Sequence, residues 1–157
     1  MEIRPARPED AAAISGLAWR AKAHWGYPAA WMEVWREELT LTAEYLEMHP
    51  AWCAEAQGDL AGFCALELGG DAMEIGHLWV APERQGTGIG RALLMEALKT
   101  AGRMRPAVSV RVVSDPNAVS FYVRMGARRI GSVPAPMTGE PSRELPVLVL
   151  AAAAPSG

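Results

Sequence analysis

The stretch Gln85-Gly86-Thr87-Gly88-Ile89-Gly90 places three glycines directly ahead of a segment with helical apolar spacing. Glycine lets backbone amides turn inward and approach a ligand without a side chain in the way. Free N–H groups at the start of a helix then form a site for phosphate oxygens. Spacing narrows the ligand. A dinucleotide-binding turn needs Gly-x-Gly-x-x-Gly, but Arg91 stands where the third glycine belongs. A P-loop needs Gly-Lys-Ser/Thr after four spacer residues, and neither residue is present. What remains is Gln-x-x-Gly-x-Gly on Gln85, Gly88 and Gly90.

Other side chains could do chemistry nearby. Glu74 and His77 lie in the extended run before the glycines. Strand alternation puts Glu74 on one face with Gly76, Leu78 and Val80, and His77 on the other with Ile75 and Trp79. Ala23-His24-Trp25-Gly26-Tyr27-Pro28 gathers amphipathic rings at a helix break, and an aromatic wall can hold an apolar or cationic substrate. Trp25, Tyr27 and Trp31 are the candidate substrate contacts, although Trp31 and Trp35, four residues apart, also suit ordinary core packing. Arg143 could anchor a substrate carboxylate, but a solvated loop charge is the plainer reading. Cys53 and Cys64 sit in apolar segments without an activating neighbour or CxxC spacing, which reads as buried thiols and disfavours nucleophilic cysteine chemistry. With scattered histidines, the sequence supports no metal site.

The elements that must position these residues follow from periodicity. Glu2–Pro5 reads as a strand, and Pro8-Glu9-Asp10 opens a helix with acidic residues in its first turn. That helix carries Ile14, Leu17, Ala18 and Ala21. A second carries Trp31, Met32, Trp35 and Leu39, and a short third spans Thr42–Met48. Ala51–Gln57 and Leu60–Leu68 form a hairpin about Gly58-Asp59, and Met73–Val80 adds a third antiparallel strand. A helix begins near Gly88 with Ile89, Leu93, Leu94, Ala97 and Leu98 inward. Ala107–Val113 is a strand. Asp115 caps a helix begun by Pro116 and closed at Gly126. Arg128–Val133 and Leu145–Ala152 complete the set. The expected fold is α/β, a mixed and mostly antiparallel central sheet of about six to seven strands flanked by helices on both faces. Residues 1–152 form one domain, with 153–157 a frayed tail.

Size and composition bound the rest. The chain has 157 residues, half of them hydrophobic and 21% charged, enough to enclose a core. A net charge of -3 gives no general attraction to polyphosphate and argues against nucleic acid as partner. No apolar run approaches the roughly 20 residues of a membrane span. The start Met1-Glu2-Ile3-Arg4-Pro5 lacks a signal-peptide pattern, so a cytoplasmic protein is expected. The tryptophans and final strand would suit a homodimer.

Gln85-x-x-Gly88-x-Gly90 resembles the pyrophosphate loop of the Gcn5-related N-acetyltransferase (GNAT) family, R/Q-x-x-G-x-G/A. Leu78-Trp79-Val80-Ala81-Pro82 resembles that family's fourth strand and exit turn. Asn117 through Ala127 resembles its later Asn…Tyr…Gly helix, and Ile3–Asp10 its opening strand and helix. One departure is Ala127, where many members carry an aromatic. The resemblance implies that acetyl-coenzyme A binds with its pantetheine arm on the backbone of Leu78, Trp79 and Val80. Its pyrophosphate would meet the amides of Gln85, Gly86, Thr87, Gly88, Ile89, Gly90 and Arg91, with Asn117 nearby. Tyr122 would act as acid toward the departing thiolate, and Glu74, at the position of some members' base, would take the amine proton. The implied reaction is direct acetyl transfer to a primary amine, of a small-molecule acceptor, in a ternary complex. The alternatives are a peptide or protein acetyltransferase and a non-catalytic acyl-coenzyme A sensor.

Overall fold

The computed structural model describes residues 1–153. Glu2–Pro5 is strand β1 and Ala11–Ala23 helix α1, joined by a 3-10 turn over Pro8–Asp10. The acidic opening expected of the helix does a different job. The Asp10 carboxylate accepts the Arg7 amide at 2.7 Å and a fork from Arg4 at 2.8 and 3.0 Å, which folds the turn back onto β1. Helices α2 (Ala29–Trp35) and α3 (Ala43–Met48) follow. The expected second helix is shorter than its apolar pattern: Leu39 lies beyond α2 in a turn but is still buried. Thr42 caps α3 by accepting the Tyr45 amide.

Strands β2 (Ala51–Ala56), β3 (Asp59–Leu68) and β4 (Met73–Val80) form the expected meander. The first hairpin turns on Gln57-Gly58 rather than Gly58-Asp59, with φ of 54° and 82°. Two positive φ values match the twist of the paired strands, and Asp59 is thereby left to pair with Ala56. Helix α4 (Ile89–Met104), strand β5 (Ser109–Val113), helix α5 (Val119–Arg124) and strands β6 (Arg128–Pro134) and β7 (Glu144–Ala151) complete the chain. Asp115 does cap the segment before α5, accepting the Asn117 amide at 2.8 Å. The first turn there is 3-10 over Pro116–Ala118, and Gly126 closes α5 with φ 99°.

All seven strands join one sheet in the order β1-β2-β3-β4-β5-β7-β6. Every pairing is antiparallel except β4 with β5. One face packs on α4 and α5 through Leu66, Ile75, Leu93, Leu94, Val110 and Leu148; the other packs on α1 to α3 through Ile14, Leu17, Trp35, Leu46 and Phe63. Both cysteines are fully buried. Ala153 is held to α4, its amide on the Leu98 carbonyl at 3.1 Å and its own carbonyl over Gly102. The rest of the expected tail, 154–157, lies outside the described residues. Among those described, no helix is long and apolar enough to cross a membrane.

Candidate active site

The parallel pair at the centre of the sheet is short. β4 and β5 register only at Met73 with Val110 and Glu74 with Arg111; beyond that rung the strands part. β4 continues along β3 as far as Val80, while β5 continues along β7 as far as Val113 with Val147. A bulge drives the separation. Ala65 faces His77 and Leu66 faces Ile75, leaving Gly76 as an extra residue in β4, and a bulge bends and overtwists its strand. The backbone edge of Ile75–Val80 that would have met β5 therefore lines a cavity of about 660 Å³, with Val112, Val113, Ser114 and Asp115 on the opposite wall.

The bulge also overturns the alternation expected for β4. Leu78 and Val80 pack on the α4 side with Met73 and Ile75, whereas Trp79 joins the α1–α3 side. His77 meets the rings of Phe63 and Tyr45 on that second side. Glu74, opposite Met73 and Ile75, thus shares its face with His77 and Trp79, not with Leu78 and Val80. An extra residue shifts every side chain beyond it by one position, which a strict period of two cannot foresee.

At one end of the cavity lies the glycine turn. Gly86 and Gly88 have φ of 77° and 89°, and a Cβ on either would meet nothing within 4 Å. It is thus the left-handed backbone, not crowding, that requires glycine there. Gly88 is the N-cap of the 16-residue α4, so the first-turn amides face the cavity with the positive end of the helix dipole. Gln85, Gly86, Gly88, Ile89, Gly90 and Arg91 line it. Thr87 turns away, its hydroxyl donating to the Arg84 carbonyl. The side chains of Arg84, Arg91 and Arg124 add positive charge at this end.

Tyr122 reaches the cavity from α5. It is 5% exposed, and burial, with a smaller effect from Cys64, holds its phenol well above the ordinary range. Its hydroxyl makes no hydrogen bond among the described residues. Asn117 also lines the cavity, but its side chain is engaged. Its Nδ2 donates to the Tyr27 hydroxyl at 3.1 Å and to Asp115 Oδ1 at 2.9 Å. Asp115 Oδ2 in turn accepts from the Tyr27 hydroxyl at 2.8 Å and from Lys22 Nζ at 2.7 Å. Burial is the largest influence and opposes the charge of Asp115, yet Lys22, the Asn117 amide and the Tyr27 hydroxyl together keep the carboxyl below its usual range. This clasp joins the α1–α2 connection to the β5–α5 connection.

The three candidate substrate aromatics separate. Trp25 is exposed and lines the cavity. Tyr27 does not line it; burial and the Asp115 carboxylate push its phenol up to about 12. Trp31 is buried, stacked on Tyr27, with its indole N–H donating to the Thr138 carbonyl at 3.0 Å. Arg143 is not the solvated loop charge expected. Its guanidinium is packed 5.4 to 5.9 Å from the rings of Tyr27, Trp31 and Trp35, because the β6–β7 connection folds under α2. On β4, Glu74 lies 3.5 Å from Arg111; burial raises its carboxyl, and Arg111 opposes the rise. His77 is pushed down to about 4 by burial, against the nearby Glu67.

Residues 10–135 match the family described as Acetyltransferase (GNAT) domain. The chain belongs to the GNAT acetyltransferase family. Among solved structures, it is similar to a GCN5-related N-acetyltransferase from Rhodopseudomonas palustris, with 24% identity, TM-score 0.77, and 96% and 94% of the two chains covered. It is also similar to PaiA N-acetyltransferase from Thermoplasma acidophilum in complex with coenzyme A (22%, TM-score 0.72, 94% and 96% covered). A third is the ribosomal-protein-S18-alanine N-acetyltransferase of Escherichia coli (19%, TM-score 0.71, 99% and 96% covered). No curated protein matches in sequence.

The residues present fit coenzyme A, which the Thermoplasma relative holds. A free strand edge suits an extended arm bearing amides, and the α4 amides with three arginines suit a pyrophosphate. Several members of this GNAT cavity were not singled out from the sequence: Arg84, Arg124, Lys22 and Asp115 line it. Asp115 and Lys22 are 93 residues apart, and no local pattern could have joined them. The arginines near the glycines were visible as charges, but their direction depends on how α4 and α5 pack.

Proposed function

We propose that this chain transfers an acetyl group from acetyl-coenzyme A directly to the primary amine of a small molecule, within a ternary complex. The observation that carries the reading is the parting of β4 from β5, with phosphate-binding chemistry at one end and titratable side chains on the α1–α3 face, taken as the acceptor face. Bound acetyl-coenzyme A would supply a thioester carbonyl already reactive toward amines. Leu78, Trp79 and Val80 offer backbone groups to the pantetheine arm, and one of their N–H groups serves as the fixed donor for negative charge gathering on the carbonyl oxygen. Gln85 to Arg91 hold the pyrophosphate, and Asn117 contacts the arm once its side chain leaves Tyr27 and Asp115 Oδ1, with the Lys22–Asp115 pair kept. Tyr122 gives its proton to the departing sulfur.

An alkylamine has a pKa near ~10 and is mostly protonated at neutral pH, so a base must remove a proton before attack. Glu74, at the position suggested by the family motif, lies on the acceptor face with Glu67 as its cross-strand neighbour. Two tethers support a small acceptor over a peptide. The Lys22–Asp115 clasp and the Trp31–Thr138 bond hold together walls that a peptide groove would need open. The test is release of free thiol from acetyl-coenzyme A over a panel of amino acids, polyamines, aminoglycosides and short peptides. Turnover with a small amine is expected. Turnover confined to peptides would overturn the small-molecule assignment, and silence in protein that binds coenzyme A would favour a sensor.

A further inference from the structure

Glu67 on β3 is absent from the motif-based reading, yet it has the most constructed setting of any carboxylate on the acceptor face. A Cβ on Gly76 would fall 2.1 Å from Glu67 Oε2 and 2.4 Å from its Cδ. Any other residue at position 76 would push the carboxylate aside, so the bulge and the glycine together make room for it directly behind Gly76. Gly76 itself lines the cavity. The Tyr45 hydroxyl donates to Oε2 at 2.6 Å, fixing one oxygen, while Oε1 has no protein donor among the described residues.

The other candidates are less well placed. Glu74 sits on the last rung where β4 still pairs with β5, beside Arg111, outside the parted stretch. His77 lines the cavity, but its Nδ1 accepts the Trp79 indole N–H at 2.9 Å. An indole can only donate, so the neutral imidazole carries its hydrogen on Nε2 and has no lone pair left.

We infer that Glu67, seated over Gly76, is the group that takes the proton from the acceptor amine. The inference rests on the amine acetylation proposed above. The ammonium gives one proton to Glu67, and the freed nitrogen lone pair forms the N–C bond. The C–S bond breaks with its electrons on sulfur, which takes the Tyr122 proton. The second nitrogen proton restores the Tyr122 hydroxyl, and Glu67 returns its proton to water. The titratable groups around Glu67 are Tyr45 of α3, whose ring packs on His49 just past that helix, and Glu74 and His77 of β4.

The experiment measures kcat/KM against pH for wild type, E67Q and E74Q, with the glutamate carboxyls followed by carbon-13 NMR in the free protein. In E67Q, kcat/KM should fall about a hundredfold or more, the acidic limb should vanish, and coenzyme A affinity should stay within about twofold. The carboxyl that titrates along the wild-type limb should be the one missing from the E67Q spectrum. An E67Q variant that keeps the limb, or a limb carboxyl that disappears in E74Q, overturns the inference. Should E67Q not fold, Glu67→Asp withdraws the carboxylate from Gly76 by a methylene while keeping its charge. Its kcat should fall at least about tenfold, and an unchanged kcat overturns the inference. Wild type inactive toward every amine would sink the acetylation reading itself, an outcome separate from any variant's behaviour.

Discussion

Replacing Tyr122 with Phe removes one oxygen and nothing else from α5. The ring stays in its core, edge-on to Phe121 at 5.2 Å. Because the hydroxyl has no protein partner, its loss strands no buried donor or acceptor, and stability should change by less than about 1 kcal/mol. The effect on turnover should be much larger. A positioned acid contributes about 10² to 10⁴-fold, equivalent to about 3 to 5 kcal/mol of transition-state stabilisation. Burial holds the Tyr122 phenol well above its usual range, so the wild type should show no loss of turnover from its ionisation below about pH 10. Thiol release reads the rate cleanly, since burial pushes the Cys53 and Cys64 thiols up to about 12 and neither should react in the folded state. Coenzyme A affinity, measured by calorimetry, should be nearly unchanged. A Tyr122→Phe kcat within about threefold of wild type across pH 6 to 10 would refute the reasoning (threefold is far below any acid's contribution). A loss of affinity equal to the loss of rate would instead make the residue a binding contact.

Gly88→Ala forces a side chain into a φ of +89° with open space around it; coenzyme A affinity should fall about tenfold or more, while thermal unfolding shifts by only about 1 to 3 kcal/mol of strain. Equal affinity in calorimetry would show that the α4 amides are not the anion site. Lys22→Met leaves Asp115 without its cation and should cost about 2 kcal/mol near neutral pH. The folded Asp115 carboxyl lies below its ordinary value of 3.8, so its contribution is complete above that value and disappears as pH falls through the folded one. Denaturant melts of wild type and variant should accordingly begin to draw together as pH falls below about 4; a constant gap would count against the ion pair. Gly102→Ala would place a Cβ 2.0 Å from the Ala153 carbonyl oxygen. The overpacking should destabilise by about 1 to 3 kcal/mol, and an unchanged melting temperature would show that Ala153 is not held against α4.

The local chemistry of this chain is written in its sequence because it depends on neighbours in the chain. The glycine turn needs left-handed φ at Gly86 and Gly88, and only glycine adopts it without strain. Asp115 caps with its own side chain, and the apolar stripe of α4 follows from helical spacing, so these were legible residue by residue. The order of elements along the chain followed from periodicity and turn residues. Tertiary structure decided what depends on pairing across the sheet. Whether Gly76 pairs or bulges is settled by the fit of β4 against β3, and that single choice put His77 and Trp79 on the α1–α3 face with Glu74 and made room for Glu67. Likewise Lys22, Tyr27, Asp115 and Asn117 meet only because α1 packs beside the parted strands, and Arg143 is half-buried only because its loop packs beneath three aromatic rings. A carboxylate's neighbours in space carry its chemistry, and one inserted rung in a sheet is enough to exchange them.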